Sequence, residues 1–361
     1  MIVRRGVQRT VILPVENSPS PISENKTINQ QDRSSYVVGA GILNESNLDA
    51  VSIQHEFGIF GGEWGEYILD LCRNLEPPII TTFHSVVMNP NQKALDIVRE
   101  ISHLSANVVV TLESAKNLLR VEYGIPPAKI RVIPHGATVP YQKRRSYARQ
   151  HLHLRNRIIL ATTGLINPGK GIEHAIKSLS YLVNEWPNIL YLVIGETHPE
   201  VRKRNGEAYR SNLATLVKQL KLERNVRFVN EYLPEADLSL YMQATDIYIA
   251  PYVGRDQVSS GTITFALTHG KPVVSTPTIF AEEALSRDRG LLCDFADEYS
   301  IARRVRRILK DQKLRRKLEA NASSYGRRLA WENVADEYAN VFRSAKRLEE
   351  TVTETSRISE T

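Results

Sequence analysis

Strand-length apolar runs alternate with segments of helical period along most of this chain, and that alternation limits the fold more than any other feature. Strands joined by crossover helices pair in parallel, so the pattern predicts βαβ units. One set of runs includes Ala50-Val51-Ser52-Ile53-Gln54, Pro78-Ile79-Ile80-Thr81-Thr82-Phe83, residues 107–112 and Ile130-Arg131-Val132-Ile133-Pro134, with helices predicted over 64–73, 91–102 and 114–123. A second set includes residues 157–162, 190–195, 226–229 and 246–251 and Pro272-Val273-Val274-Ser275-Thr276, with helices over 172–185, 206–220 and 238–244. Residues 16–35 are polar and read as loop, 143–154 read as a connector, and 331–348 predict a final amphipathic helix before a polar, frayed tail. The expected fold class is α/β, with an N-terminal domain over 1–142, a C-terminal domain over 143–330 and a crossover helix with its tail over 331–361. A chain of 361 residues is also long for one core.

Hydrophobic residues make up 42% and charged residues 24%, the balance of a soluble globular protein. No apolar run approaches the ~20 residues of a membrane span. Two distant cysteines, Cys72 and Cys293, exclude a disulfide scaffold or a Cys-based zinc module and read as reduced core residues of a cytoplasmic protein. The start of the chain lacks the sustained apolar segment of a secretory signal. The net charge is +7, and its excess gathers at Arg303-Arg304, Arg306-Arg307, Lys310, Lys313 and Arg315-Arg316-Lys317. Two readings stand for that cluster: the solvated face of helices, or weak attraction to an anionic surface. No aromatic residue interleaves with these charges in sequence and no nucleic-acid motif accompanies them, so no nucleic-acid partner is expected.

The chemistry gathers between Tyr252 and Pro277. A loop of small polar residues, Gln257-Val258-Ser259-Ser260-Gly261-Thr262, opens a short helix that ends near Gly270. Unpaired N–H groups and the helix dipole make such an N-terminus attractive to an anion. The strand–loop–helix order places it at the carboxyl edge of a parallel sheet, where such folds bind nucleotides. A second turn, Thr163-Gly164-Leu165-Ile166-Asn167-Pro168-Gly169-Lys170-Gly171, also follows a strand and opens a helix, and the Lys170 ammonium has the length to reach a phosphate. This turn is neither a Walker loop nor G-x-G-x-x-G, and a plain turn with a surface lysine is its alternative reading. Glu196 and Glu231 follow strands of the same set and are expected at the base or sugar of a ligand, or simply in loops.

His84 ends one strand of the first set, and His55 with Glu56 ends the preceding one. Polar residues at strand carboxyl ends face the ligand crevice of an open sheet. A single histidine is more often structural, and two on neighbouring strand ends favour a role for one. No metal-ligand spacing or G-x-S-x-G elbow is present.

The order Val132-Ile133-Pro134-His135-Gly136, then Gly164 to Lys170-Gly171, then Asp246 to Pro251, then Gly270-Lys271-Pro272-Val273-Val274, resembles the retaining nucleotide-sugar glycosyltransferases of family 4. The resemblance spans residues 48–345. It implies the GT-B fold, with two Rossmann-like domains facing each other across a cleft, the C-terminal one holding the donor and the N-terminal one the acceptor. It implies that Lys170 contacts the diphosphate and that His84 lies near the donor sugar. In the segment where that family usually bears two glutamates eight positions apart, this chain has Gln257 and Phe265. An amide can still hydrogen-bond a sugar hydroxyl, whereas a phenyl ring cannot. Leu165 replaces an arginine usual in the family, and Arg255 is the candidate for the missing cation. Residues 1–45 lack the family's first strand and Gly-rich loop, unless Thr10-Val11-Ile12-Leu13 makes a strand, which reads as a truncated N-terminal domain.

The implied activity is retaining transfer of a hexose from a GDP- or UDP-sugar to a carbohydrate or lipid-linked acceptor. The implied site comprises His84, Lys170 and Gln257 for the chemistry, with Gly164, Arg255, Ser260, Gly261, Thr262, Glu196 and Glu231 toward the donor and His55 and Glu56 toward the acceptor. No metal or other cofactor is called for, because Lys170 and the helix N-terminus can neutralise a diphosphate. The protein is expected in the cytoplasm, with weak peripheral contact at the inner membrane face. A nucleotide-sugar binder without turnover and a GT-B epimerase or phosphorylase are the alternatives.

Overall fold

The computed structural model of the chain describes residues 11–16, 27–140 and 145–359. It divides into two compact units: residues 1–134 with 331–361, and residues 135–330. The division falls between Pro134 and His135, not within residues 143–154, so His135 belongs to the second unit.

In the first unit, a two-residue parallel pair, β1 (Val15–Glu16) with β2 (Ile28–Asn29), precedes helix α1 (Arg33–Asn44). This corrects the loop reading at Glu16, Ile28–Asn29 and from Arg33, residues 17–26 lying outside the described residues: Asp32 caps α1, its carboxylate accepting from Ser34 N at 3.0 Å. Val11 to Leu13 form no strand, and Thr10 lies outside the described residues. The main sheet follows: β3 (Val51–His55), α2 (Ile68–Asn74), β4 (Ile79–Phe83), α3 (Gln92–Leu104), β5 (Ser105–Val110), α4 (Glu113–Val121) and β6 (Ile130–Val132). Its strands are all parallel, in the order β3-β4-β5-β6. Edge strand β3 buries Val51, Ile53 and His55 and exposes Ser52 and Gln54, whereas β4 is buried throughout. The helix expected from residue 64 starts later, because Trp64 adopts φ +57 inside a short 3₁₀ turn.

The second unit runs α5 (Arg145–His151), β7 (Ile158–Thr163), α6 (Ile172–Leu179), β8 (Ile189–Ile194), α7 (Pro199–Asn205), α8 (Ala208–Gln219), β9 (Val226–Val229), α9 (Glu235–Ala244), β10 (Ile247–Ala250), α10 (Gly261–Thr268), β11 (Val273–Ser275), α11 (Ile279–Ala284), β12 (Gly290–Leu292), α12 (Glu298–Lys310) and α13 (Gln312–Arg328). The six parallel strands lie in the order β12-β11-β10-β7-β8-β9. That is the doubly wound order, and the direction of winding reverses between β7 and β10. The all-apolar run of β8 is buried on both faces, as a central parallel strand requires.

Residues 143–154 are not a bare connector. Helix α5 carries Arg145 and Arg149 to Asp246, which is 3% exposed. Arg315 of α13 adds a third guanidinium at 2.8 Å, and Ile159 N donates to the same carboxylate at 2.7 Å. A charge this buried persists only when paired and hydrogen-bonded. Lys271 is buried nearby, where its ammonium donates to the carbonyls of Gln243 and Thr245 at the end of α9.

Helix α14 (Trp331–Ser359) follows, so residues 349–359, expected to fray, are helical. Val334, Val341 and Ala345 of α14 pack against Ile80, Val109 and Ile133 of the first unit's sheet, and Tyr338 Oη lies 3.0 Å from Thr82 Oγ1. Cys72 and Cys293 are buried free thiols, both pushed up to about 12 by desolvation.

Candidate functional site

The winding reversal puts the carboxyl ends of β7 and β10 side by side, and the turns after them build one constellation. After β7, Gly164 takes φ +104. A Cβ there would stand 3.0 Å from Thr262 Cγ2 and 3.3 Å from Lys170 Nζ, so the position requires glycine. Gly195, after β8 and at φ +132, passes so close that a Cβ would lie 2.2 Å from the Gly164 carbonyl. The two strand ends are thus locked together by backbone contact.

Lys170 sits on a 3₁₀ turn, Pro168–Lys170, and is only 9% exposed. Its ammonium donates to Thr163 O at 3.2 Å and stands 5.5 Å over the ring of Tyr252. The lysine is therefore not a free surface cation, and it is held beside the opening of α10. There Ser260 is the N-cap, its hydroxyl accepting from Ile263 N. The amides of Gly261 and Thr262 precede the first intrahelical bond, Thr264 N to Ser260 O at 3.0 Å. Tyr252 Oη lies 3.1 Å from Ser260 Oγ and 2.8 Å from Thr262 Oγ1, tying the end of β10 to the start of α10.

His135 joins the group, because a Cβ on Gly261 would lie 3.4 Å from its ring. Its Nδ1 lies 2.8 Å from Gly136 O, and burial lowers its pKa. Two glycine turns, a buried lysine and a helix N-terminus can together hold an anion through directed N–H groups, while the neutral His135 ring, its Nδ1–H turned to Gly136 O, packs against the start of α10.

Other expected residues stand apart from this group or are already engaged. Arg255 pairs with Glu282 at 3.0 Å, both side chains being about half exposed. Gln257 leads into α10, its carbonyl accepting from Phe280 N at 2.8 Å. Phe265 is 8% exposed and packs its ring 4.2 Å from that of His269, so it is a core residue. Glu196 lies 3.8 Å from Arg202, and Glu231 is exposed beyond β9.

Sequence reasoning missed Tyr252 and Arg210. Arg210, on α8, donates to Gly195 O at 2.8 Å and to Thr197 Oγ1 at 3.3 Å, and also bonds Asn230. One guanidinium thus joins the ends of β8 and β9 beside Gly164. Tyr252 opens the stretch singled out in sequence but carries no sign there of its contacts, and a helix-surface arginine carries no mark of what it reaches.

In the first unit, His84 and His55 do end neighbouring strands, and His84 N donates to His55 O at 2.9 Å. His84 Nε2 lies 2.8 Å from Gln54 Oε1 and remains partly exposed. His55 does not face a crevice: it is fully buried among Phe57, Phe60 and Phe83, and neither ring nitrogen has a hydrogen-bond partner. Desolvation, with the neighbouring His84, lowers its pKa to about 4. Glu56, next to it, is exposed. Among the described residues no group of three or more His, Cys, Asp and Glu side chains is placed to hold a metal ion, and no helix is long and apolar enough to cross a membrane.

Comparison with known proteins agrees with this architecture. Residues 143–325 match the model of the glycosyl transferases group 1, and residues 4–139 match that of glycosyltransferase family 4. A D-inositol 3-phosphate glycosyltransferase of Corynebacterium glutamicum is 24% identical over 332 residues, 84% of this chain and 75% of that enzyme. The same enzyme of Corynebacterium urealyticum is 26% identical over 188 residues, which is 52% of this chain and less than half, 43%, of the relative. Among solved structures, Anabaena HepE in complex with UDP superposes with a TM-score of 0.71 at 16% identity, covering 86% of this chain and 82% of that one. Sucrose-phosphate synthase of Thermosynechococcus elongatus gives 0.71 at 20% identity, over 86% and 77%. At these identities the structures establish a shared GT-B fold.

Proposed function

The chain belongs to the glycosyl transferases group 1, and we propose that it moves a hexose, with retention of configuration, from a nucleoside diphosphate sugar to a carbohydrate or lipid-linked acceptor. One observation supports this reading: the Lys170 ammonium and the Thr262 side chain, at the start of α10, both stand beside Gly164 at the winding reversal. A departing diphosphate develops negative charge, and preorganised donors in a water-poor site stabilise it. Lys170 and the start of α10 supply the positive potential, so this route needs no resident metal. The family resemblance assigns His84 to the donor sugar, and Gln257 offers an amide to a hydroxyl.

UDP is the favoured nucleotide, with GDP the alternative, because HepE has been crystallised with UDP and with UDP-glucose. The corynebacterial relatives, named for inositol 3-phosphate, favour a polyol or carbohydrate acceptor. The enzyme works in the cytoplasm, in contact with the inner face of the membrane.

Binding without turnover is the second reading, favoured by Phe265, whose buried ring offers no hydrogen bond to a ribose. A melting-temperature screen with UDP-, GDP- and ADP-sugars, followed by product analysis, separates the two. The transferase reading expects stabilisation by one nucleotide class and an α- or β-linkage matching the donor's. Stabilisation with neither transfer nor donor hydrolysis supports the binder, and no response to any nucleotide rejects both.

A further inference from the structure

The basic cluster of the last third looks different once folded. On α12, Tyr299, Arg303, Arg306, Arg307 and Lys310 recur at helical spacing along one face, while Ile301, Ala302, Val305 and Ile308 bury the opposite one. The segment after α6 lies against the outward stripe. Tyr181 meets Tyr299 edge to face, with ring centroids 5.6 Å apart. Arg306 donates to Tyr181 O at 2.6 Å, and Lys310 Nζ stands 6.0 Å over the ring of Trp186. The sequence places only Tyr299 near these charges, and the fold brings in two more aromatics: Tyr181 and Tyr299 are 46% and 54% exposed, and Trp186 is partly buried.

Charge on this surface is unbalanced. Glu185 is the carboxylate facing the stripe, and Arg306 and Lys310 share it at 3.2 and 2.7 Å. Glu298, at the start of α12, stands instead 3.9 Å from His174 Nδ1. Arg303 and Arg307 are exposed. Exposed tyrosines with apolar bodies and polar tips, framed by long cationic side chains, suit the boundary between water and lipid.

We infer that the outer face of α12, with Tyr181 and Trp186, docks this protein onto anionic lipid headgroups. This deepens the reading of peripheral contact above, by naming its surface and the lipid charge it requires, and it does not depend on nucleotide chemistry. The cations supply a salt-dependent attraction worth about fivefold in affinity each, and the tyrosines enter the headgroup layer. Nucleic acid fits less well, because the edge-to-face tyrosine pair offers no run of parallel ring faces for stacking bases.

The test is sedimentation of the full chain with vesicles of phosphatidylcholine alone or mixed with phosphatidylglycerol, at low and high salt, with homopolymeric RNA as competitor. Binding to the phosphatidylglycerol vesicles only, lost at high salt, is expected. Arg303→Gln with Arg307→Gln should weaken it by about tenfold or more, and Tyr181→Ser with Tyr299→Ser should weaken it several-fold. Equal binding by wild type and the arginine variant, no binding by either, or RNA displacing the vesicles would overturn the proposal. Nucleotide-induced stabilisation, measured on the same samples, should be unchanged in the arginine variant. Its absence from wild type too would count against the transferase reading and leave the vesicle result standing.

Discussion

The ammonium of Lys170 stands 5.5 Å above the ring of Tyr252. That contact joins the turn after β7 to the end of β10, and the Tyr252 hydroxyl carries the link on to Ser260 and Thr262. The proposed anion site therefore rests on a tyrosine that ties its two turns together. Tyr252→Phe should lower kcat by about tenfold, since each neutral hydrogen bond is worth about 1 kcal/mol, with a modest fall in melting temperature. Unchanged turnover in that variant would show that α10 holds its place without the hydroxyl.

Lys170→Met should cost on the order of 10² to 10³ in kcat, the usual loss when one preorganised donor is removed. The melting temperature without ligand should move by only a few degrees, because one hydrogen bond to Thr163 O disappears. Wild-type turnover by this variant would take Lys170 out of the mechanism.

Arg210 is a positioning residue. It holds Gly195 O, Thr197 and Asn230 together beside Gly164. Arg210→Met should raise the KM for the donor by about tenfold while inhibition by inorganic pyrophosphate stays as in wild type, because the Lys170 turn and α10 are untouched. A parallel loss of pyrophosphate inhibition would mean that the variant has collapsed the whole strand edge.

His55 gives the first unit a sensitivity to acid. Its folded pKa, about 4, lies below the ordinary 6.5 because the ring is buried with neither nitrogen hydrogen-bonded, and the nearby His84 further disfavours a positive charge. The unfolded chain therefore binds the extra proton first, and stability falls as pH drops from about 6.5 toward 4. The full effect approaches about 3 to 4 kcal/mol, from the difference between 6.5 and about 4 at roughly 1.4 kcal/mol per unit. His55→Phe should flatten the denaturation midpoint over that range. An equally steep acid dependence in the variant would assign it to other groups.

Asp246 anchors three arginines, so Asp246→Asn should destabilise the second unit by about 3 to 5 kcal/mol, the cost of breaking a buried ion cluster. Chemical denaturation followed at the second unit would register it. A change under about 1 kcal/mol would mean that the cluster relaxes into solvent.

The α/β class and the positions of β4, β7, β8 and β11 were legible because parallel strands buried on both faces appear as largely apolar runs, and that of β3 because its apolar residues alternate with polar ones. The loop before α10 was legible because small polar residues at a helix start have few other uses. Residues 145–151 were not, because α5 is stabilised by a distant partner, Asp246, and not by an apolar stripe of its own. His55 misled for the related reason that a strand-end histidine looks polar in sequence, whereas Phe57, Phe60 and Phe83 close around it. Tyr252 and Arg210 act through contacts that only the fold creates.

The most direct test is a crystal structure of the protein with a nucleoside diphosphate. The account predicts the diphosphate within hydrogen-bond distance of Lys170 Nζ and of the Gly261 and Thr262 amides, at the reversal between β7 and β10. A diphosphate bound elsewhere, with Lys170 still turned to Thr163 and the start of α10 bare, would contradict it.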